Sequence, residues 1–102
     1  MANPEHLVKL YEGAEAWNRW RRENPRTEVD LSGASLQGSR GAVLDLSGYD
    51  LSEGNLAGVQ ILWASLASAD LRLAKMGRAQ LERVDLRSAN LSEASLIHVG
   101  RG

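Results

Sequence analysis

From Leu31 onward, every fifth residue is a position of one kind, and that beat holds in step through fourteen units between Val29 and Val99. Its centres are Leu31, Leu36, Leu46, Leu51, Leu56, Ile61, Leu66, Leu71, Met76, Leu81, Leu86, Leu91 and Leu96, with Gly41 the one centre that lacks a side chain. Two residues before a centre stands a small residue, as in Ala34, Ala64, Ala69, Ala74, Ala79, Ala89 and Ala94. Between the two comes a short polar one, such as Asp30, Asp45, Asp50, Asn55, Asp70, Asp85 or Asn90. A period of five suits neither regular element. On a helix it would walk the leucines around the axis by about 140° per step. On a straight strand, an odd period would send alternate leucines to opposite faces. The chain must turn once per unit.

Within a unit, the small residue and the centre lie two apart and share a face, while the polar residue between them points the other way. The two positions after the centre are rich in Ser and Gly, as in Ser32-Gly33 and Ser47-Gly48, and make the corner. The lining is therefore predicted to be the thirteen apolar centres, each contributing on the order of 1.5–3 kcal/mol when buried. Ala69-Asp70-Leu71, Ala89-Asn90-Leu91 and Ala94-Ser95-Leu96 carry a pattern that resembles the pentapeptide-repeat proteins. That resemblance implies an all-β solenoid, a right-handed quadrilateral parallel β-helix with about twenty residues per coil. Fourteen units then make about 3.5 coils, a stack of roughly 17 Å. Asp30, Asp50, Asp70 and Asn90, spaced by twenty, are expected to form one column. Gly41 should leave a gap in the lining, filled by the oversized neighbours Leu44 and Tyr49. Gly41→Leu is then expected to overpack at a cost of about 1–3 kcal/mol.

Residues 1–28 form a separate segment, read as a capping helix and linker ahead of a repeat domain at 29–102. Asn3 caps a helix over residues 4–23, Pro4 suits its first turn, and Arg19, Arg21 and Arg22 suit its last. Asn24-Pro25 stops it. Leu7, Leu10, Tyr11, Ala14 and Trp17 make one apolar stripe with Trp20 at its margin. A stack of strands needs its first edge covered, and this stripe is the natural lid. The string His6-Leu7, Gly13, Trp17-Asn18, Trp20-Arg21, Asn24-Pro25 also resembles the leader of many bacterial pentapeptide-repeat proteins.

Net charge is −1, with five acids and five bases in residues 1–28 and eight acids and seven bases thereafter. The chain has no cysteine, which excludes disulfides and thiolate metal sites. No apolar run approaches a membrane span, and the start of the chain lacks the basic and apolar regions of a secretion signal. The expected location is cytoplasmic. The Asp and Asn of each unit read as acceptors for nearby backbone N–H groups at the corners. His6 and His98 have no acidic partner at ligand spacing and are expected to be exposed. No nucleophile elbow, phosphate loop or dinucleotide fingerprint is present, so the reading is of a non-enzyme without cofactor, metal or small-molecule substrate. Arg72, Lys75, Arg78, Arg83 and Arg87 would spread over all sides of a coil, among Asp70, Glu82 and Asp85, rather than form a nucleic-acid surface.

The outward apolar residues are the candidate interface. Leu62 and Trp63 occupy a corner, with Ala42 and Val43 one coil below and Arg83 one coil above, where its guanidinium can stack on the indole. Leu73 and Ile97 are outward on other sides. The expected function is a non-catalytic scaffold or protein–protein interaction module. Its partner would be another protein or a second copy, met through the Val43/Leu62/Trp63 column or the C-terminal coil. The alternative implied by the resemblance is a DNA mimic that regulates or protects DNA gyrase. Short length, near-neutral charge and the lack of a loop interrupting the repeats all depart from that alternative.

Overall fold

The computed structural model describes residues 1–95 and the backbone of residues 100–101. Two helices, α1 (Pro4–Leu10) and α2 (Ala14–Glu23), precede five short strands. These are β1 (Ser35–Gln37), β2 (Leu44–Asp45), β3 (Gln60–Ser65), β4 (Gln80–Asp85) and β5 (Gly100–Arg101). The strands form one parallel sheet in the order β1-β3-β4-β5, with β2 also paired to β3.

The turn that a five-residue period demands is present in nearly identical form along the chain. After a centre, the next residue but one takes a positive φ. It is glycine at Gly33, Gly48 and Gly58, with φ of 71°, 73° and 68°. Elsewhere an ordinary residue does the same, as at Glu53, Ser68, Leu73, Arg78, Ser88 and Glu93, all with φ between 58° and 63°. The following N–H closes on the carbonyl of the centre, as in Ala34 to Leu31 (3.1 Å), Ala69 to Leu66 (3.0 Å) and Ala89 to Leu86 (3.0 Å). This is the arrangement of a type II turn. The polar residue of each unit reinforces it. Asp30, Asp50, Asn55, Asp70, Asp85 and Asn90 each accept from the backbone N–H two residues on, an Asx turn that needs no water.

From β2 onward the backbone pairs with itself at a separation of twenty. Gln60 to Leu62 and Ala64 to Ser65 face Gln80 to Glu82 and Val84 to Asp85. Asp50 faces Asp70, which faces Asn90, and Asn55 faces Lys75, which faces Ser95. Leu44 and Asp45 face Ala64 and Ser65. Pairing thus recurs at four stations in every twenty residues, and the centres stack inside. Leu31, Leu36, Leu46, Leu51, Leu56, Ile61, Leu66, Leu71 and Met76 are buried, as are Ala64, Ala69, Ala74 and Ala79. Leu81, Leu86 and Leu91, expected to line the core equally, are only partly buried. They lie in the third layer, beyond which only the backbone of β5 is described. Leu96 lies outside the described residues.

The first layer departs from the spacing. Ser35, Leu36 and Gln37 pair with Gln60, Ile61 and Leu62, and Asp30 pairs with Asn55, separations of twenty-five. The extra five residues leave the wall as a hairpin, closed by Ser39 N–H to Ala42 O (3.0 Å) and Ala42 N–H to Ser39 O (3.1 Å). Arg40 and Gly41 form its tip. This corrects three expectations. Gly41 is not a gap in the lining: it is exposed, and a Cβ there would meet nothing within 4 Å. Asp30 does not head the Asp50, Asp70, Asn90 column. A loop does interrupt the repeats. The physical reason is the missing side chain: a unit with no apolar centre gains nothing by entering a leucine-lined wall.

The lid is also not the single helix expected over 4–23. Asn3 caps α1 by accepting from Glu5 N–H at 2.9 Å. The helix ends at Leu10, and Gly13 then takes a φ of 107° before α2 begins. That conformation is open to glycine at little cost, and it lets α2 change direction. Tyr11, predicted in the apolar stripe, sits in the break and is 57% exposed. Leu10 and Trp17 are buried, while Leu7 and Trp20 pack partly against the core.

Candidate functional site

Among the described residues, side chains do more than line the core in the lid beneath the first layer and at the corner around Trp63. In the lid, three side chains on two successive turns of α2 reach the edge of the first layer. The Trp17 indole N–H donates to Asp50 O at 2.7 Å. The Asn18 amide donates to Gly48 O at 3.0 Å and accepts from Asp50 N–H at 2.8 Å. Arg21 donates to Asp50 O and Ser52 O at 3.1 and 2.9 Å. From α1, His6 Nδ1 accepts from Asp30 N–H at 3.1 Å, and Asn3 N–H donates to Asp30 O at 2.9 Å. These bonds complete backbone groups that a further strand would otherwise satisfy.

Two residues at the contact between lid and first layer depart from the expectation. His6 is not exposed but buried, its ring 5.1 Å from that of Trp20. Tyr49 does not fill a gap left by Gly41. Its hydroxyl donates to Leu10 O at 2.7 Å and its ring lies 6.1 Å from Trp17. Burial, with the nearby Asp45 carboxylate adding to it, raises the Tyr49 pKa. Leu44, the other supposed filler, is partly buried in β2. The histidine and tyrosine roles depend on partners more than twenty residues away, which no local pattern reports.

At the Trp63 corner, β3 and β4 run unbroken through the position where the other units turn. Trp63 and Arg83 hold positive φ of 54° and 58° there. The Arg83 guanidinium carbon lies 5.6 Å from the Trp63 ring centroid, within cation–π range. Val43, 49% exposed, emerges from the hairpin base beside them. Val43, Trp63, Ala64, Arg83 and Val84 line a shallow hollow of about 400 Å³, with Ser65 and Asp85 at its rim. Leu62 is half-buried. Leu73, also 49% exposed, is not part of this corner and lines a separate cleft with Arg21, Arg26, Glu53 and Lys75. Ile97 and His98 lie outside the described residues. The sequence signal that was missed is the hairpin, which sets Ala42 outside the wall and brings a loop to the edge of the Trp63 hollow.

The outward carboxylates are neutralised locally. Asp85 is gripped by Arg87, with Nη2 to Oδ2 at 2.7 Å, and its pKa falls to about 2, chiefly through that hydrogen bond. Arg72 holds Asp70 in the same way at 2.7 Å, and lowers its pKa. Bonds from Ser32 and Ser47 lower those of Asp30 and Asp45. Among the described residues, no three His, Asp or Glu side chains come together as metal ligands would. No described helix is long and apolar enough to cross a membrane.

No curated protein matches the chain. The family model for pentapeptide repeats matches residues 64–99 in eight copies. Within the described residues of that stretch, 64–95, pairing at twenty keeps step and Asx turns recur at Asp70, Asp85 and Asn90. Residues 64–99 of the chain are pentapeptide repeats.

Proposed function

We propose that the chain is a rigid, non-catalytic interaction module. In this reading it is a right-handed, four-sided parallel β-helix, closed at one end by α1 and α2, that offers the Trp63 side to a protein partner. The four pairing stations per twenty residues support the four sides, and the family resemblance supplies the hand. Domains at 1–28 and 29–102 follow from the same reading, with the lid as the smaller part.

The observation that carries the contact surface is the Trp63 corner. An indole held at positive φ under an arginine, beside a half-exposed valine and above a hairpin, combines the residue types that dominate binding energy at interfaces. A second copy of the chain is the first partner to test. Light scattering on a size-exclusion column, over a range of concentrations, should show a dimer that Trp63→Asp converts to monomer. A protein that stays monomeric throughout leaves a different protein as the partner. A dimer untouched by Trp63→Asp removes this corner from the interface.

DNA mimicry is less well supported. The hairpin removes one of its three departures, but the short repeat and the near-neutral charge remain. Asp70 and Asp85, paired with arginines of their own units, present little of the negative potential that mimicry requires.

A further inference from the structure

The extruded hairpin is one whole pentapeptide, Ser39-Arg40-Gly41-Ala42-Val43, in phase with every other unit. Its removal from the wall leaves the inward and outward positions on both sides unchanged. An extrusion of any other length below ten would put Leu36 and Leu46 out of step. The two ends of the wall meet at the neck, where Gly38 N–H donates to Leu62 O at 2.8 Å. A Cβ on Gly38 would collide with backbone atoms of Leu44, Trp63 and Ala42. The neck closes only over glycine. Gly41, at the tip, is the centre whose exclusion loses no apolar burial.

We propose that residues 39–43 are a register unit, and that Gly38 and Gly41 choose between two frames of the first layer. In the extruded frame, the one observed, Leu36 lies under Ile61 and Ser35 faces Gln60. In the inserted frame, pairing at twenty extends to the start of the repeats: Gly41 lies under Ile61, and Ser35 faces Asn55. Everything from Leu44 onward keeps its place. The segment 29–37 and the lid attached to it shift by one side of the stack. Asp30 would then pair with Asp50, whose free N–H and carbonyl are taken by Asn18, Trp17 and Arg21. The lid bonds therefore favour the extruded frame, together with Gly38, while a side chain at Gly41 favours the inserted one. A partner that grips the hairpin selects the extruded frame in proportion to its preference for it.

The chain has no cysteine, so paired cysteines report the frame directly. Facing residues of adjacent parallel strands have Cα atoms about 4.8 Å apart, within disulfide range. In the otherwise natural chain, Ser35→Cys/Gln60→Cys should oxidise to a disulfide and Ser35→Cys/Asn55→Cys should not. Adding Gly41→Leu gives the hairpin a wall-forming centre and should raise the 35–55 product, measured by mass spectrometry against 35–60, by at least about tenfold. Adding Gly38→Ala as well should make 35–55 the main product. Deleting residues 39–43 should leave the fold intact by circular dichroism and keep the disulfide between Cys at 35 and Cys at the position now held by Gln60. Persistence of the 35–60 product alone in both Gly41→Leu backgrounds overturns the second frame. So does failure of both Gly41→Leu proteins to fold, since a usable frame must be a folded one. Unfolding on deletion overturns the claim that the unit is separable.

Discussion

The two ends of the described stack are built from the same repeat yet differ in burial. At the lower end, Leu31, Leu36, Leu46 and Leu51 are at most 3% exposed, because α1 and α2 press Leu10 and Trp17 onto the first layer. In the third layer, Leu81, Leu86 and Leu91 occupy equivalent positions and stay half-buried. A repeat unit cannot bury its own centre. Its apolar face is covered by the layer above and the layer below, so equal sequence does not mean equal contribution. The lid also completes hydrogen bonds, and this separates it from a simple apolar plug.

The sharpest way to break the comparison is to remove the lid's anchor. Trp17→Ala deletes a fully buried indole and its bond to Asp50 O, and should destabilise by about 3–5 kcal/mol in urea unfolding. A loss below about 1 kcal/mol would mean that the first layer stands without its cover. Next, Leu71→Ala should cost about 2–5 kcal/mol, and Leu91→Ala clearly less, since its side chain is already partly in water. Equal losses would show that the third layer is covered in solution by something further. Asn18→Ala leaves Asp50 N–H and Gly48 O without their partner and should cost about 1–3 kcal/mol, read from the same unfolding curves.

A smaller effect separates the outward carboxylates from the core. The pKa values of Asp30, Asp45, Asp70 and Asp85 are lowered in the folded chain, that of Asp85 to about 2. The unfolded chain therefore binds more protons in acid, so stability rises with pH in that range. The contribution should be complete above about pH 4, the ordinary carboxylate value, and drain away as pH falls toward 2. Arg87→Gln should shift the carbon-13 titration of the Asp85 carboxyl upward; an unmoved midpoint would assign the shift to the Arg87 backbone N–H instead. Smallest of all, Gly41→Ala should leave thermal stability within about 0.5 kcal/mol, the range of surface substitutions, because the new methyl meets nothing. A loss above about 1 kcal/mol would place the methyl in a packed setting instead.

Reading in fives supplied most of the wall. Leu56, Ile61, Leu66, Leu71 and Met76 are where the beat puts them, and the Asx turns follow from a short polar residue just before each centre. The break between α1 and α2 had a visible signal in Gly13, which a helix over 4–23 would have to absorb at about 1 kcal/mol relative to alanine. The hairpin had a weaker one: Gly38 and Gly41 three apart, with a centre that offers no side chain.

What the sequence by itself determined is the local grammar: a turn every five residues, a lining of leucine and alanine, and a rim of short acceptors. The turn and the rim are settled within one unit, where sterics and i to i+2 hydrogen bonds act, and the lining is legible because its residues share one face of every unit. Tertiary structure alone decided that Asp30 faces Asn55 rather than Asp50, that His6 and Tyr49 join the lid to the first layer, and that Trp63 shares its corner with a hairpin. Those outcomes compare whole arrangements of the chain. A period-five pattern is compatible with pairing at twenty or twenty-five, and the choice between them rests on which arrangement buries more and leaves fewer backbone groups unpaired.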